Sequence, residues 1–359
     1  INIYNDINKE IIFMIIIMEP EATTEQIDKV VKHLEENDFK ININYGEVFT
    51  VIAAIGDKRL VQPHSINSFD GVREVKLIQE PFKLASRESK KEDTVIEFSN
   101  GVKIGGNNKP VIMAGPCSVE DDFEALLSIA EAVKESGAEI LRGGAFKPRT
   151  SPYDFQGLEE KGLQYLRQAA DKTGLLVITE VMDTLDLPLI CDYADIIQVG
   201  ARNMQNFKLL KAIGKTNKPV MLKRGPAAGI REFLLAAEHI LYNGNENVIL
   251  CERGIKGFDS NYTRNVLDLA AVPVIKKYSH LPVIVDPSHA TGKRYLIEPM
   301  SKAAIVAGAD GLMVEVHNNP DKAYSDGAQS LTIPQFKNLM AHLSALIKVL
   351  NESKDLIVV

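Results

Sequence analysis

The sequence predicts an α/β protein: a (β/α)8 TIM barrel that follows a small N-terminal ferredoxin-like (βαββαβ) domain. From residue 110 onward, eight short apolar runs alternate with stretches in which apolar residues recur at helical spacing. Near-continuous apolar strands that alternate with helices indicate a parallel sheet, and eight such units in about 240 residues are typical of a TIM barrel. The runs are VIMAGPC, EILRGGA, LLVITEV, DIIQVGA, PVMLKRG, NVILCERG, PVIVDPSH and GLMVEVH.

The small domain is predicted over residues 14–80. Its first strand is FMIIIM, and a helix begins after Thr23, because Gln26 completes a capping box three residues later. Apolar residues then recur at helical spacing from Ile27 to Leu34. The resulting order of elements is that of a ferredoxin-like sandwich. The later elements are the strands KININYGEV and FTVIAAIGD, the short helix VQPHSINSF and the strand GVREVKLIQ.

Three further segments complete the expected organisation. The chain does not begin with Met, and Met14 would be a natural start, so we expect residues 1–13 to be a leader or a disordered start. The polar, charge-dense residues 81–93 read as a linker. The catalytic unit, residues 94–359, opens with a hairpin that contains an Asn-Gly turn and closes with an amphipathic helix over 333–351.

The composition limits the classes of function. Lys and Arg number 41 against 48 Asp and Glu, a net charge of −7, which argues against binding to nucleic acid or to anionic membranes. A specific anion can still bind in a locally positive pocket. No apolar run reaches the roughly 20 residues that span a bilayer. Three cysteines do not make a disulfide framework, so we expect reduced thiols in a cytoplasmic protein.

Titratable residues follow every predicted barrel strand. The carboxyl ends of the strands and the loops after them form the active site of a TIM barrel. A structural salt bridge would explain any one of these residues, but it does not explain why every strand carries one. The set comprises Cys117, Arg142, Glu180, Arg202, Lys223, Arg224, Glu252, Arg253, Asp286, His289, Glu315, His317 and, in the last loop, Asp326.

Two chemical groups can be drawn from these residues and from the loop after the second strand. Six cations would make the carboxyl end of the barrel strongly positive. Guanidinium groups bind phosphate and carboxylate in a bidentate manner, so this set predicts multiply phosphorylated reactants. One thiolate, one imidazole and two carboxylates suit a divalent transition metal (Mn, Fe, Co or Zn) better than Ca or Mg. The cysteine alone could equally be a small core residue. The cations are Arg142, Lys147, Arg149, Arg202, Lys223 and Arg253, and the metal candidates are Cys117, His289, Glu315 and Asp326.

Several long motifs resemble one family, and the resemblance covers residues 14 to about 350. They are AGPCSVE, GGAFKPRTSPYDFQG, VGARNMQN, LKRG, CERG, VDPSHATGKR and GLMVEVH…SDGAQSL. They are similar to the motifs of the 3-deoxy-7-phosphoheptulonate (DAHP) synthases, in particular the shorter type I class with an N-terminal ferredoxin-like domain. The resemblance implies condensation of phosphoenolpyruvate with erythrose 4-phosphate, giving DAHP and phosphate, the first step of the shikimate pathway.

The resemblance also implies roles for individual residues. Lys147, together with Cys117 and His289, is expected to act in catalysis, and the new alkoxide would take its proton from Lys147 or from a water on the metal. Arg202 and Arg253 are expected on the phosphate of phosphoenolpyruvate. The metal ligands implied are Cys117, His289, Glu315 and Asp326; the other contacts to phosphoenolpyruvate are Arg142, Lys147 and Lys223; those to the sugar phosphate are Arg149, Thr150 and Ser151.

Regulation and assembly are implied by the same resemblance. The small domain resembles one through which Tyr or Phe inhibits some family members, although it could serve assembly alone. A homo-oligomer, in particular a tetramer, is expected.

Three other functions stay open on the sequence. A sister enzyme uses arabinose 5-phosphate, but its loop has Ala-Asn where Pro148 and Arg149 follow the lysine here. A Schiff-base aldolase would use Lys223 and leave the metal candidates without a purpose. An inactive allosteric partner would not need the full set of matched residues. The segment from Pro226 to Phe233 departs from the family pattern, and Arg231 would be unfavourable in the first turn of a helix.

Five more residues have expected roles. Asp286 could orient a lysine or a water on the metal, and Glu180 could do likewise or pair with an arginine. His317 shares a strand face with Glu315 and could support it. Cys191 and Cys251 are expected to pack.

Overall fold

The structure is a computed structural model that describes residues 11–46, 48–57, 59–78, 81–149 and 151–354. Its internal contacts divide the chain between Pro81 and Phe82 into two compact units. In the described part of the chain, no helix is both long enough and apolar enough to cross a bilayer. The predicted leader lies almost wholly outside the described residues.

The first unit is a four-stranded antiparallel sheet with the strand order β2-β3-β1-β4. This topology and the two helices confirm the predicted ferredoxin-like domain. The elements are β1 (Ile11–Met18), α1 (Thr24–Glu35), β2 (Lys40–Tyr45), β3 (Thr50–Asp57), α2 (Pro63–Ile66) and β4 (Val72–Ile78).

Strand alternation and a helix cap organise this unit. In β1, Met14, Ile16 and Met18 are fully buried and share one core with α1 and β3, as expected for a strand with one face on the core. The predicted capping box forms at the start of α1: Thr23 Oγ1 accepts the N–H of Gln26, and Gln26 Oε1 accepts the N–H of Thr23.

The second unit begins with a segment that packs on the barrel. Glu238 accepts the backbone N–H groups of Lys83, Leu84 and Ala85 at 2.8–2.9 Å, and Phe82 belongs to the main hydrophobic core. A hairpin of β5 (Ile96–Glu97) and β6 (Lys103–Ile104) follows. Ile96 and Ile104 join the cluster inside the barrel and so close its amino-terminal end.

Eight parallel strands then close into a barrel in the order β10-β11-β12-β13-β14-β7-β8-β9, which confirms the predicted TIM barrel. The elements are β7 (Val111–Gly115), α3 (Phe123–Glu135), β8 (Ile140–Arg142), α4 (Glu160–Thr173), β9 (Leu176–Val181), α5 (Leu187–Tyr193), β10 (Ile196–Val199), α6 (Phe207–Ile213), β11 (Val220–Lys223), α7 (Ile230–Tyr242), β12 (Val248–Glu252), α8 (Ala271–Tyr278), β13 (Val283–Val285), α9 (Pro287–Thr291), α10 (Arg294–Val306), β14 (Gly311–Glu315) and α11 (Ile333–Lys354).

Alternation along these strands fixes which side chains reach the carboxyl end. Apolar residues such as Ile140, Met221 and Met313 fill the barrel interior. Because strand side chains repeat every two residues, the residues two positions further along face the same space. Those residues carry charge or a polar amide, and they are Arg142, Glu180, Gln198, Lys223, Asp286 and Glu315. Three of them, Glu180, Gln198 and Lys223, line a cavity at that end of the barrel.

Candidate active site

A cavity of about 490 Å³ opens at the carboxyl ends of the strands. Most of the predicted cations line it, and Arg142 is a buried neighbour, 4% exposed. Two further cations, Lys256 and Arg264, line it as well and were missed by the sequence reasoning, because they lie in the loop after β12 rather than at a strand end. The two basic residues stand eight positions apart in GIKGFDSNYTR, so no periodic pattern indicates their role. The predicted residues in the lining are Lys147, Arg149, Arg202, Lys223, Arg253, Glu180, His289 and Asp326.

Two strand-end residues do not face the cavity. Arg224 and Glu252 are buried behind the strands, where an N–H of the guanidinium lies 2.9 Å from the Glu252 carboxylate and 2.8 Å from Asp268. Each is adjacent in sequence to a residue that does line the cavity, so alternation turns it the opposite way.

The predicted metal candidates lie together. Cys117, His289, Glu315 and Asp326 each offer a ligand atom, and these atoms all lie within 4.8 Å of one another. Cys117 Sγ is 3.5 Å from Asp326 Oδ2, and His289 Nε2 is 3.2 Å from Glu315 Oε1. A thiol, an imidazole and two carboxylates form a donor set that fits a divalent transition metal.

Asp286 orients the imidazole of this cluster. Its Oδ2 lies 2.6 Å from His289 Nδ1 and 2.6 Å from Lys223 Nζ. Burial alone would raise the pKa of Asp286, but His289 and Lys223 outweigh burial and hold the pKa well below its usual range. For His289 burial acts in the other direction and is the main reason that its pKa is lowered. A neutral imidazole that donates from Nδ1 to Asp286 keeps Nε2 free to bind a metal.

Glu315 is fully buried and held on both oxygens. Arg142 donates to Oε1 at 3.0 Å, and Gln329 Nε2 donates to Oε2 at 2.6 Å. Burial raises the pKa of Glu315, but His289 and Arg142 more than offset it, so the pKa is lowered. Gln329 was missed because it lies in an irregular loop with no periodic pattern. Among the described residues, the Nε–H of Arg142 is buried without a partner, a costly state that a bound acceptor would relieve.

The buried surroundings of Cys117 favour its protonated thiol. Burial and the nearby Glu315 raise its pKa to about 11, although Lys147 and Arg142 act in the opposite direction. Lys147 Nζ donates to Cys117 O at 2.9 Å and approaches its Sγ at 3.1 Å. A metal that binds this sulfur therefore displaces a proton.

The predicted sugar-phosphate loop lies at one side of the cavity. Arg149 lines the cavity and pairs with Asp154 at 3.5 Å, and Arg202 donates to Pro148 O at 3.1 Å. In the described part of this loop, Ser151 stays outside the cavity lining, and its hydroxyl accepts the N–H of Tyr153. Thr150 lies outside the described residues.

Glu180 pairs with an amide rather than with an arginine. Gln198 Nε2 donates to its Oε2 at 3.0 Å, and both side chains line the cavity. Gly200 leaves room for this carboxylate, since a Cβ there would lie 1.9 Å from Glu180 Oε1.

Comparison with known families gives two matches that together span most of the chain. The DAHP synthetase I family model matches residues 93–351, and the DAHP synthase ferredoxin-like domain model matches residues 14–80.

The individual relatives include heptonate and octonate aldolases. The phospho-2-dehydro-3-deoxyheptonate aldolase of Thermotoga maritima is 53% identical over 94% of this chain and 98% of its own length. A crystal structure of the DAHP synthase from Thermotoga maritima matches with a TM-score of 0.76, 52% identity, and coverage of 94% of this chain and 98% of that chain. The 2-dehydro-3-deoxyphosphooctonate aldolase of Desulfosudis oleivorans is 30% identical over 72% of this chain and 98% of its own length.

Proposed function

The chain belongs to the DAHP synthetase I family, and on that premise we propose that it condenses phosphoenolpyruvate with erythrose 4-phosphate. The products are 3-deoxy-D-arabino-heptulosonate 7-phosphate and phosphate, in the first step of the shikimate pathway. One observation carries the proposal: four donor groups suited to a transition metal lie beside a cavity lined by cations. Either feature alone fits many enzymes, whereas both together fit the joining of two phosphorylated substrates.

The reaction forms one carbon–carbon bond and releases phosphate. Carbon 3 of phosphoenolpyruvate attacks the aldehyde carbon, the aldehyde oxygen takes a proton, water adds at carbon 2, and the phosphate leaves from that carbon. Arg202 and Arg253 would hold the phosphate of phosphoenolpyruvate, and Lys223 and the buried Arg142 would face its carboxylate. Fixed cations of this kind stabilise the charge that moves onto oxygen.

Lys147 is the proposed proton donor to the new alkoxide. Its ammonium group lies 3.1 Å from Cys117 Sγ, at the edge of the metal candidates and in the cavity wall. A donor at that position reaches an oxygen that sits beside the cluster.

A divalent metal (Mn, Fe, Co or Zn) would be held by Cys117, His289, Glu315 and Asp326. When bound, it supplies a Lewis acid for the aldehyde carbonyl. The orientation of His289 by Asp286 and the hold of Arg142 and Gln329 on Glu315 support this assignment, because metal ligands are commonly fixed by such outer partners.

The four-carbon sugar is favoured over the five-carbon sugar on two grounds. Pro148 and Arg149 follow Lys147 where the sister enzyme has Ala-Asn. The heptonate aldolase of Thermotoga maritima is 53% identical, whereas the octonate aldolase of Desulfosudis oleivorans is 30% identical. A Schiff-base route through Lys223 is less well supported, since its amine is already the ion-pair partner of Asp286 at 2.6 Å.

Feedback inhibition by Tyr or Phe through the N-terminal domain is part of the proposal, as are a homotetramer and a cytoplasmic location. The match of residues 14–80 to the DAHP synthase ferredoxin-like domain model supports the presence of the domain through which this inhibition would act.

The substrate assignment is tested with the purified full chain, Mn²⁺, phosphoenolpyruvate and either sugar phosphate. We expect phosphoenolpyruvate to disappear with erythrose 4-phosphate and to persist with arabinose 5-phosphate. Turnover with the five-carbon sugar alone would show that the assignment of the Lys147 loop is wrong.

A further inference from the structure

The loop after β14 holds Asp326 in an unusual backbone conformation. Asp326 has a φ of +51°, a left-handed conformation that costs free energy for a residue with a side chain and persists only when its surroundings hold it. Its carbonyl accepts the hydroxyl of Ser330 and the N–H of Gln329. These bonds hold the segment after Asp326, so the segment before it needs a separate restraint.

Glu120 supplies that restraint from a different loop. Its Oε1 accepts the backbone N–H of Tyr324, two residues before Asp326, at 2.7 Å. The same oxygen lies 3.3 Å from Nε2 of His317, where the loop begins. Nδ1 of His317 accepts the N–H of Asn319, and the opposite ring nitrogen, Nε2, faces Glu120. One carboxylate thus joins the start of the loop to the segment before Asp326.

Two serines join the same loops closer to the metal candidates. The hydroxyl of Ser118 is hydrogen-bonded to that of Ser325, and both side chains are buried. Ser118 follows Cys117, and Ser325 precedes Asp326, so this bond sets the two backbones side by side. Glu120 joins the same two loops through Tyr324, one residue further from Asp326 than Ser325.

The arrangement extends to the predicted sugar-phosphate loop. The ring of Tyr324 packs edge-on against Phe155, with the ring centroids 5.2 Å apart. Phe155 belongs to the KPRTSPYDF stretch that carries Arg149. The residue whose N–H Glu120 binds therefore contacts both loops.

We propose that Glu120 is a positioning residue that presets Asp326 opposite Cys117 for binding a divalent metal. The inference rests on the metal site of the proposed function. The Glu120 side chain is 21% exposed, and partly exposed ion pairs contribute little to folding. Its loss should therefore show in metal affinity more than in stability.

Direct metal titration tests this on the full-length chain, with Co²⁺ as the probe. The dissociation constant comes from calorimetry, and absorption from cobalt bound to a thiolate reports on Cys117. Glu120→Ala removes the acceptor and should weaken Co²⁺ binding about tenfold, the low end of what outer partners contribute. Glu120→Gln keeps an oxygen for the N–H of Tyr324 and should restore most of the affinity.

Asp121→Ala is the matched control. Asp121 is the next residue in the same loop and pairs with Lys161 at 2.5 Å and with Tyr165, away from the Asp326 loop. This variant should bind Co²⁺ like the wild type. Glu120→Ala that also binds like the wild type would overturn the positioning role and leave the proposed function intact. A wild-type chain with no Co²⁺ affinity would overturn both.

Discussion

His280 is a buried histidine just before β13, at the end of the barrel opposite the cavity. Its Nδ1 lies 2.7 Å from Thr94 Oγ1 and its Nε2 lies 2.7 Å from Leu84 O. Burial is the main cause that lowers its pKa, and nearby Lys90 and Arg87 act in the same direction. The folded state therefore binds this proton less readily than the unfolded state.

The consequence is a pH dependence of stability. Because the folded pKa is depressed, the unfolded state takes up more protons below the ordinary value of about 6.5, and stability falls as pH falls through that window. The gap in melting temperature between the wild type and His280→Gln should narrow from about pH 7.5 to about pH 5.5. A gap that stays constant or widens towards low pH would contradict this.

At the scale of single residues, alternation explains what the sequence could predict. Once the strand is recognised, the alternation of side chains along it places Lys223 in the cavity. The same alternation places the next residue, Arg224, on the opposite side of the strand. The motif resemblance named the four metal candidates, but only the fold brings them within reach of one another. Arg264, Gln329 and Glu120 were not predicted because irregular loops have no period.

At the scale of elements, a buried network joins the loops after β11 and β12. Arg224 donates to Glu252, to Asp268 and to Ala228 O. Glu252 Oε1 accepts the N–H of Gly254 at 2.6 Å. Arg253 lies between Glu252 and Gly254, so the network fixes the backbone on both sides of a cation proposed to bind phosphoenolpyruvate.

Glu252→Gln should therefore weaken the use of phosphoenolpyruvate. The variant keeps one acceptor oxygen where Arg224 and the N–H of Gly254 use two, so one of these bonds is lost. We expect the KM for phosphoenolpyruvate to rise about tenfold, within the range for a displaced positioning group, while the KM for erythrose 4-phosphate changes less. Steady-state kinetics with each substrate varied in turn measures both.

Asp310→Asn provides a control with similar burial. Asp310 pairs with Lys276 at 2.8 Å and accepts the N–H of Val283, at the amino-terminal end of the barrel. The Asp310→Asn variant should have a lower free energy of unfolding and unchanged KM values for both substrates. An equal rise of the KM for phosphoenolpyruvate in the two variants would mean that Glu252 acts only through general stability.

At the scale of the whole molecule, the two units suggest separable roles. The predicted order of elements was sufficient to identify both folds, because each has a strong periodic pattern. The sequence could not show that residues 82–94 pack on the barrel, since the three N–H groups that Glu238 binds are backbone groups with no side-chain signal.

Removal of residues 1–81 should separate catalysis from regulation. The two units have separate hydrophobic cores, which supports a barrel that folds alone. We expect the truncated chain to keep turnover and to lose inhibition by Tyr or Phe, measured as the inhibitor concentration that halves the rate. Inhibition equal to that of the full chain would contradict a regulatory role for the N-terminal domain.

The most direct test of the central claim is the rate of phosphoenolpyruvate consumption with erythrose 4-phosphate before and after chelation of the full chain. The arrangement of Cys117, His289, Glu315 and Asp326 predicts that the activity is lost on chelation and returns when Mn²⁺ is added. Full activity after complete metal removal would contradict the metal-assisted condensation and make Lys223 the group to examine next.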